Sequence, residues 1–233
     1  MDSLARLTHS YTAEMANGER PNPVVTAVGL QQNNVSKNYR LAIAHNTQDA
    51  QQHADDLARL KLVRDVVVGR TSSAETAAYL APDSGLPRRS HHGNLGAQDR
   101  LAKDLRKLRS TYDGNDDERG GARLKQALHN VFGTREEPKP INAVNLTMPP
   151  AGRGVVHGET ALLAQSVPSP IGVSKLSCGD CDDYASEVGR NSDLRGTHGQ
   201  RFPGWQHPTT GQVSHNRVIT GAPQYANDSD SDA

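Results

Sequence analysis

Five consecutive segments decide the fold: INAVNLTM (141–148), HGETALLAQ (157–165), IGVSKL (171–176), GDCDDYASEV (179–188) and DLRGT (193–197). They read in turn as strand, helix, strand, helix and strand, because apolar β-branched runs alternate with stretches of helical spacing. Alternation of this kind is the mark of an α/β layer fold.

Working back from Ile141, Leu124 to Phe132 predicts an amphipathic helix ending near Gly133, and Asp113 to Gly121 a polar break. Asp99 to Tyr112 predicts a clearer helix, with Leu101, Leu105 and Leu108 as its apolar stripe. Its cations Arg100, Lys103, Arg106, Lys107 and Arg109 read first as a solvated face and second as a phosphate track. Residues 69–97 show no periodicity and predict a long loop. Thr47 to Val68 is helical in spacing, with Thr47 as N-cap. Pro23 to Leu30 and Asn38 to Ala44 flank a Gln- and Asn-rich turn and predict an antiparallel hairpin. Residues 4–16 predict a short helix stopped by Asn17-Gly18 and Pro21. No internal repeat is visible. Residues 227–233 (NDSDSDA) form an acidic tail.

The domain expectation is a hairpin and helical region over 1–140 packed on the catalytic layer, a catalytic core over 141–226, and a flexible tail over 227–233.

Among 233 residues, 26 are basic and 26 acidic, so no general electrostatic pull toward polyanions operates. Any polyanion must be met by a local patch. With its 21 glycines added to the 34% hydrophobic set, the apolar share is roughly 43%, slightly under the usual level and enough for one modest core. Aromatic residues are only 4%, which disfavours a surface built from many stacking rings. No apolar run approaches a bilayer span and residues 1–18 lack a secretory leader, so the expectation is a protein without membrane partners.

Cys178 and Cys181 are the only cysteines. Two residues apart, they staple almost no loop and read as ligands or a redox pair. The pair stands at the start of one predicted helix, and His157-Gly158-Glu159 at the start of another. Helix N-termini favour thiolate over thiol. Zinc accepts imidazole and thiolate together, and three protein ligands leave a fourth position open for water, the catalytic arrangement. His157, Cys178 and Cys181 are thus the candidate ligands. Glu159 is too near His157 to share the ion but can reach its water as a proton shuttle. Taken singly, H-x-E is almost uninformative, and C-x-x-C admits thioredoxin-like redox or structural zinc. Neither a second C-x-x-C nor an H-x-H completes four ligands, so catalytic zinc is favoured.

This combination resembles the zinc-dependent cytidine deaminase superfamily, whose pattern is H-x-E followed by P-C-x-x-C. Residues 171–181 (IGVSKLSCGDC), 194–199 (LRGTHG) and 202–205 (FPGW) are similar to a branch of deaminase-like domains found in bacterial polymorphic toxins and fungal proteins. The resemblance covers about residues 141–211. It implies a three-layer α/β/α fold with a mixed sheet of about five strands, here with extra N-terminal helices. It also implies one catalytic Zn2+, whose water attacks the amidine carbon while Glu159 takes and returns the proton.

Two positions depart from the pattern. Gly158 stands where many relatives have Ala, which loosens the helix start. Ser177 replaces the proline, leaving the turn before Cys178 less fixed. The resemblance makes Asn145 the substrate-facing strand residue, with Asn142 second and an ordinary strand-edge Asn as the alternative. His198 becomes a base contact or a structural turn residue, Trp205 a core residue or pocket wall, and Arg195 and Lys175 phosphate contacts or surface charges. Ser177 joins the substrate candidates.

The expected activity is cytosine-to-uracil conversion in nucleic acid, single-stranded DNA before RNA, by a toxin-type effector. Such an effector is a monomer with an immunity protein as partner, acting in the cytoplasm of its own or a target cell. Alternatives are a deaminase of free nucleosides, nucleotides or adenine, and a non-catalytic zinc-stabilised binding module.

Overall fold

A computed structural model describes residues 1–9, 25–32, 38–46, 50–83, 96–115, 121–146, 154–194 and 196–214. The predicted Thr47 cap, the end of the 4–16 helix and Arg195 fall outside them. Strand β1 (Thr26–Gln32) and β2 (Tyr39–His45) form the expected hairpin, paired from Thr26 opposite His45 to Gln32 opposite Tyr39. Strand β3 (Ala143–Asn145) runs parallel to β2, and β4 (Ile171–Val173) antiparallel to β1. The sheet order is β3-β2-β1-β4, so the two strands flanking the H-x-E segment lie on opposite edges. Both inner strands come from the first 45 residues.

Period-two alternation divides the hairpin between two cores. Val28, Leu30, Leu41 and Ile43 face a cluster from helices α1 (Asp2–Thr8), α2 (Ala50–Val67), α3 (Ser73–Leu80), α4 (Ala97–Asp113) and α5 (Gly121–Phe132). Ala27, Ala42 and Ala44 face the other way, toward α6 (Gly158–Ala164) and α7 (Gly179–Glu187). Helices on both faces of a mixed sheet make a three-layer α/β/α fold. Large residues fill the first interface and small ones the second, so α6 approaches the sheet closely. A Cβ on Gly29 would meet Val167 Cγ1 at 2.5 Å.

Helix α4 buries Leu101, Leu105, Leu108 and Tyr112 along its predicted stripe and ends at Gly114, whose φ of 84° needs no Cβ. Each fully buried leucine contributes about 1.5–3 kcal/mol. The stripe outweighs propensity here, since most helical stability in a folded protein comes from packing an amphipathic face. Asp104, buried on the same helix, takes two hydrogen bonds from the Arg6 guanidinium of α1 at 2.8 and 2.5 Å.

Three local expectations are corrected. The stretch 69–97 is not loop throughout: Ser73–Leu80 is helical, because Ser72 Oγ accepts the Ala74 and Glu75 N–H groups and Thr76, Ala77 and Leu80 share a buried face. The described residues of 193–197 form no strand: Asn191–Asp193 is a 3-10 turn, and pairing reduces to a bridge between Ser177 and Thr197. The sheet has four strands among the described residues, close to the about five expected. Of the predicted 141–148 strand, Ala143–Asn145 alone is strand among the described residues, and 147–148 lie outside them. No helix among the described residues is long and apolar enough to cross a membrane.

Candidate metal centre

Helices α6 and α7 start side by side, each after a stretch of extended chain. His157 is the N-cap of α6 (φ −71°, ψ 151°) and Cys178 the N-cap of α7 (φ −78°, ψ 167°), with Cys181 one turn in. Their donor atoms converge. His157 Nδ1 lies 3.3 Å from Cys181 Sγ and 3.5 Å from Cys178 Sγ, and the two sulfurs are 3.2 Å apart. The three residues form the one His/Cys/Asp/Glu group among the described residues whose ligand atoms all lie within 4.8 Å of one another. Both cysteines are free and buried. One nitrogen and two sulfurs suit a borderline-soft divalent ion, whose bonds of about 2.0–2.3 Å would reach all three.

The electrostatics favour a cation. The hydrogen-bonding contact with Cys181 draws the Cys178 thiol down to about 6, with the His157 contact assisting and burial opposing. Burial first, then the hydrogen-bonding contact with Cys178 and the charge of Glu159, pushes Cys181 well above the ordinary thiol value. The two sulfurs thus differ in acidity, Cys178 being the more readily ionised. Burial would lower His157, but contact with Cys178 and the nearby Glu159 and Asp180 carboxylates overcome it and raise the imidazole.

Glu159 is 1% exposed and in contact with Cys181, and its Oε2 has no hydrogen-bond partner within the protein. A buried carboxylate oxygen without a donor is costly unless something absent from the protein itself supplies one.

Gly158 is a packing requirement. A Cβ there would stand 2.6 Å from the Ala44 carbonyl oxygen, so the helix start is held against β2 by the missing side chain, not loosened by it. Ser177 is likewise more fixed than its replacement of proline suggests. Its N–H donates to Gly196 O at 3.1 Å, a bond proline cannot make, and its carbonyl accepts from His198 N at 3.0 Å and Thr197 Oγ1 at 2.9 Å. Its own Oγ is buried and without a partner.

The segment following that bridge lies along the centre. His198 is partly buried, and its charge is coupled to those of Glu159 and His157; burial lowers its imidazole while Glu159 opposes this. Its Nδ1 accepts from Gln200 N at 3.1 Å, so the neutral ring carries its proton on Nε2. Arg201 joins this segment to α7 through Asp180 at 2.7 Å and through Asp183. Trp205 is 7% exposed and shares the core with both cysteines; its backbone bridges Val155, and its Nε1 is buried without a partner.

Asn145 pairs with Ile43 in β3, in the alternation of Ala143, which packs on the helix-rich core; Val144 and Leu146 pack on the side of the metal centre. Sequence reasoning missed Asn46, whose Oδ1 accepts the Gly158 N–H at 3.0 Å. No local signal marks it, since its partner is 112 positions away. No protein-family model, curated protein or solved structure matches the chain.

Proposed function

We propose that this protein is a zinc-dependent hydrolytic deaminase converting cytosine to uracil in nucleic acid, single-stranded DNA first, as a toxin-type effector. One observation carries the reading: His157, Cys178 and Cys181 converge from two helix starts beside a buried Glu159 with one unpartnered carboxylate oxygen. Of the alternatives, a purely structural ion needs no such carboxylate, and a dithiol redox pair needs no imidazole within 3.5 Å of both sulfurs.

A zinc ion held by these three ligands supplies Lewis acidity at its open position. The protein's own groups do the rest. Glu159 Oε2 removes a proton from the attacking water and returns one to the departing nitrogen, so that a C–O bond forms, the exocyclic C–N bond breaks and ammonia leaves. The Nε2–H of His198, the indole N–H of Trp205 and the Ser177 hydroxyl are the polar contacts available to a base. A duplex target would cost a few kcal/mol of unstacking, and a chain with no net charge has little general pull on duplex phosphates, so a single strand is the easier substrate. A toxin-type role calls for a neutralising protein in the producing cell.

The test incubates zinc-loaded protein with cytosine-containing single-stranded DNA, RNA, free nucleotides and adenine-containing strands. Wild type is expected to add about 1 Da per cytosine of the DNA, with Glu159→Gln slower by about 10²–10⁴ at unchanged zinc content. No mass gain on any substrate, or an unaffected Glu159→Gln, overturns the reading.

A further inference from the structure

An N-cap residue ordinarily caps its helix with its own side chain. His157 does not: its ring is turned to the sulfurs, and no side-chain cap bond forms at that position. The α6 start is instead secured from outside, by Asn46 Oδ1 on the Gly158 N–H at 3.0 Å.

Asn46 directly follows β2, and the end of that strand is anchored by a buried polar chain. His45 Nε2 contacts Asp56 Oδ2 at 2.6 Å and His45 Nδ1 contacts Thr26 Oγ1 at 3.0 Å. Thr26 Oγ1 also meets His9 Nδ1 at 2.9 Å, and Gln52 Nε2 donates to Asp56 Oδ1 at 3.3 Å. Each of these five side chains belongs to a residue at most 5% exposed. The chain ties α1, β1 and α2 to the residue just before Asn46, while the close contact of Gly158 with Ala44 and Ala27 leaves the α6 backbone no room to drift.

We propose that Asn46 is a positioning residue of the metal centre: its amide oxygen takes the first free N–H of α6, next to the N-cap His157 whose own side chain is turned to the sulfurs, and so fixes His157 and Glu159 relative to the cysteines. The proposal rests on the metal-centre reading. Groups that orient a ligand from behind are worth about 10- to 100-fold in metal affinity.

The experiment titrates the full chain with Co2+ against a competing chelator. It records the thiolate-to-cobalt absorption, with circular dichroism and thermal unfolding of the metal-free protein as a check on folding. Asn46→Ala and Asn46→Leu are expected to bind Co2+ about 10- to 100-fold more weakly than wild type, with a shifted visible band. Asn46→Asp keeps the acceptor, suits a helix N-terminus, and is expected to restore both. A residue that only stabilised the fold would lower the melting temperature and leave the cobalt spectrum alone. Wild-type affinity and spectrum in Asn46→Ala, or an Asn46→Asp as weak as Asn46→Ala, overturns the proposal by itself. Should Asn46→Ala fail to fold, Asn46→Ser, too short to reach, takes its place against Asn46→Asp under the same two criteria. A wild type with no thiolate-to-cobalt band overturns the proposal and the metal-centre reading together.

Discussion

His157 and Cys181 are 24 positions apart, and the Nδ1 of one stands 3.3 Å from the Sγ of the other. The contact exists because two helices begin at the same edge of the same layer. Removing either donor breaks a site that neither helix holds alone.

Cys181→Ser is therefore expected to lower bound zinc from about one equivalent to background, since three protein donors are the fewest an open zinc site uses. Metal analysis after dialysis, compared with Ser186→Ala on an exposed turn of α7, checks this; retention of zinc would be the contrary result.

Acid should weaken the fold through His9. Its imidazole is lowered to about 3, by burial first and then by the charges of Lys175, His45 and Arg59. Above pH 6.5 the ring is neutral whether folded or unfolded and contributes nothing to pH dependence. Below 6.5 the unfolded chain takes up a proton that the folded chain refuses until about pH 3, so stability falls across that window. At pH 5 the loss is about 2 kcal/mol. Denaturant midpoints of wild type and His9→Gln between pH 7 and 4 measure it; the variant should show a shallower acid slope.

Gly158→Ala sets two effects against each other. Alanine is better than glycine in a helix by about 1 kcal/mol at most. The new Cβ, however, would press on the Ala44 carbonyl oxygen from 2.6 Å, and backbone cannot swing aside as a side chain does. Overpacking of that kind costs about 1–3 kcal/mol, so the variant should be less stable by about 1–2 kcal/mol, read from its urea midpoint. A gain in stability would refute the close approach of α6.

Asp56→Ala removes the acceptor of His45 Nε2 where both side chains have no solvent exposure. Leaving a buried donor without its acceptor costs about 1–3 kcal/mol, a large share of the stability of any single domain. Equilibrium unfolding should show it clearly, and Asp56→Asn, which keeps an acceptor oxygen, should lose less.

The candidate metal ligands were readable because their spacing is local: H-x-E and C-x-x-C each fit within the first turn of one helix, and strand-helix alternation predicts two such turns close together. The α4 stripe was readable for the same reason. Helix α3 was not, because its cue is a single Ser72 cap amid Gly69, Ser73 and Pro82, residues that usually punctuate loops. Strand order was not readable either. Nothing in 141–197 says that β3 and β4 are separated by a hairpin from the first 45 residues, since that pairing is written in distant registers. Ser177 shows the limit of reading a missing residue: absence of proline suggested slack, whereas the N–H that serine keeps makes a bond to Gly196.

The insertion of β1 and β2 between β3 and β4 also sets a timetable for synthesis. On the ribosome, the hairpin emerges long before the segments that flank it, and the floor beneath His157 waits some hundred residues for its helix, as the 112-residue separation of Asn46 from Gly158 records. Such distant closures are slow. Until residues 154–181 emerge, Ala27, Ala42 and Ala44 present a bare apolar face, so in cells short of chaperones the nascent chain, more than the finished protein, is the form exposed to aggregation.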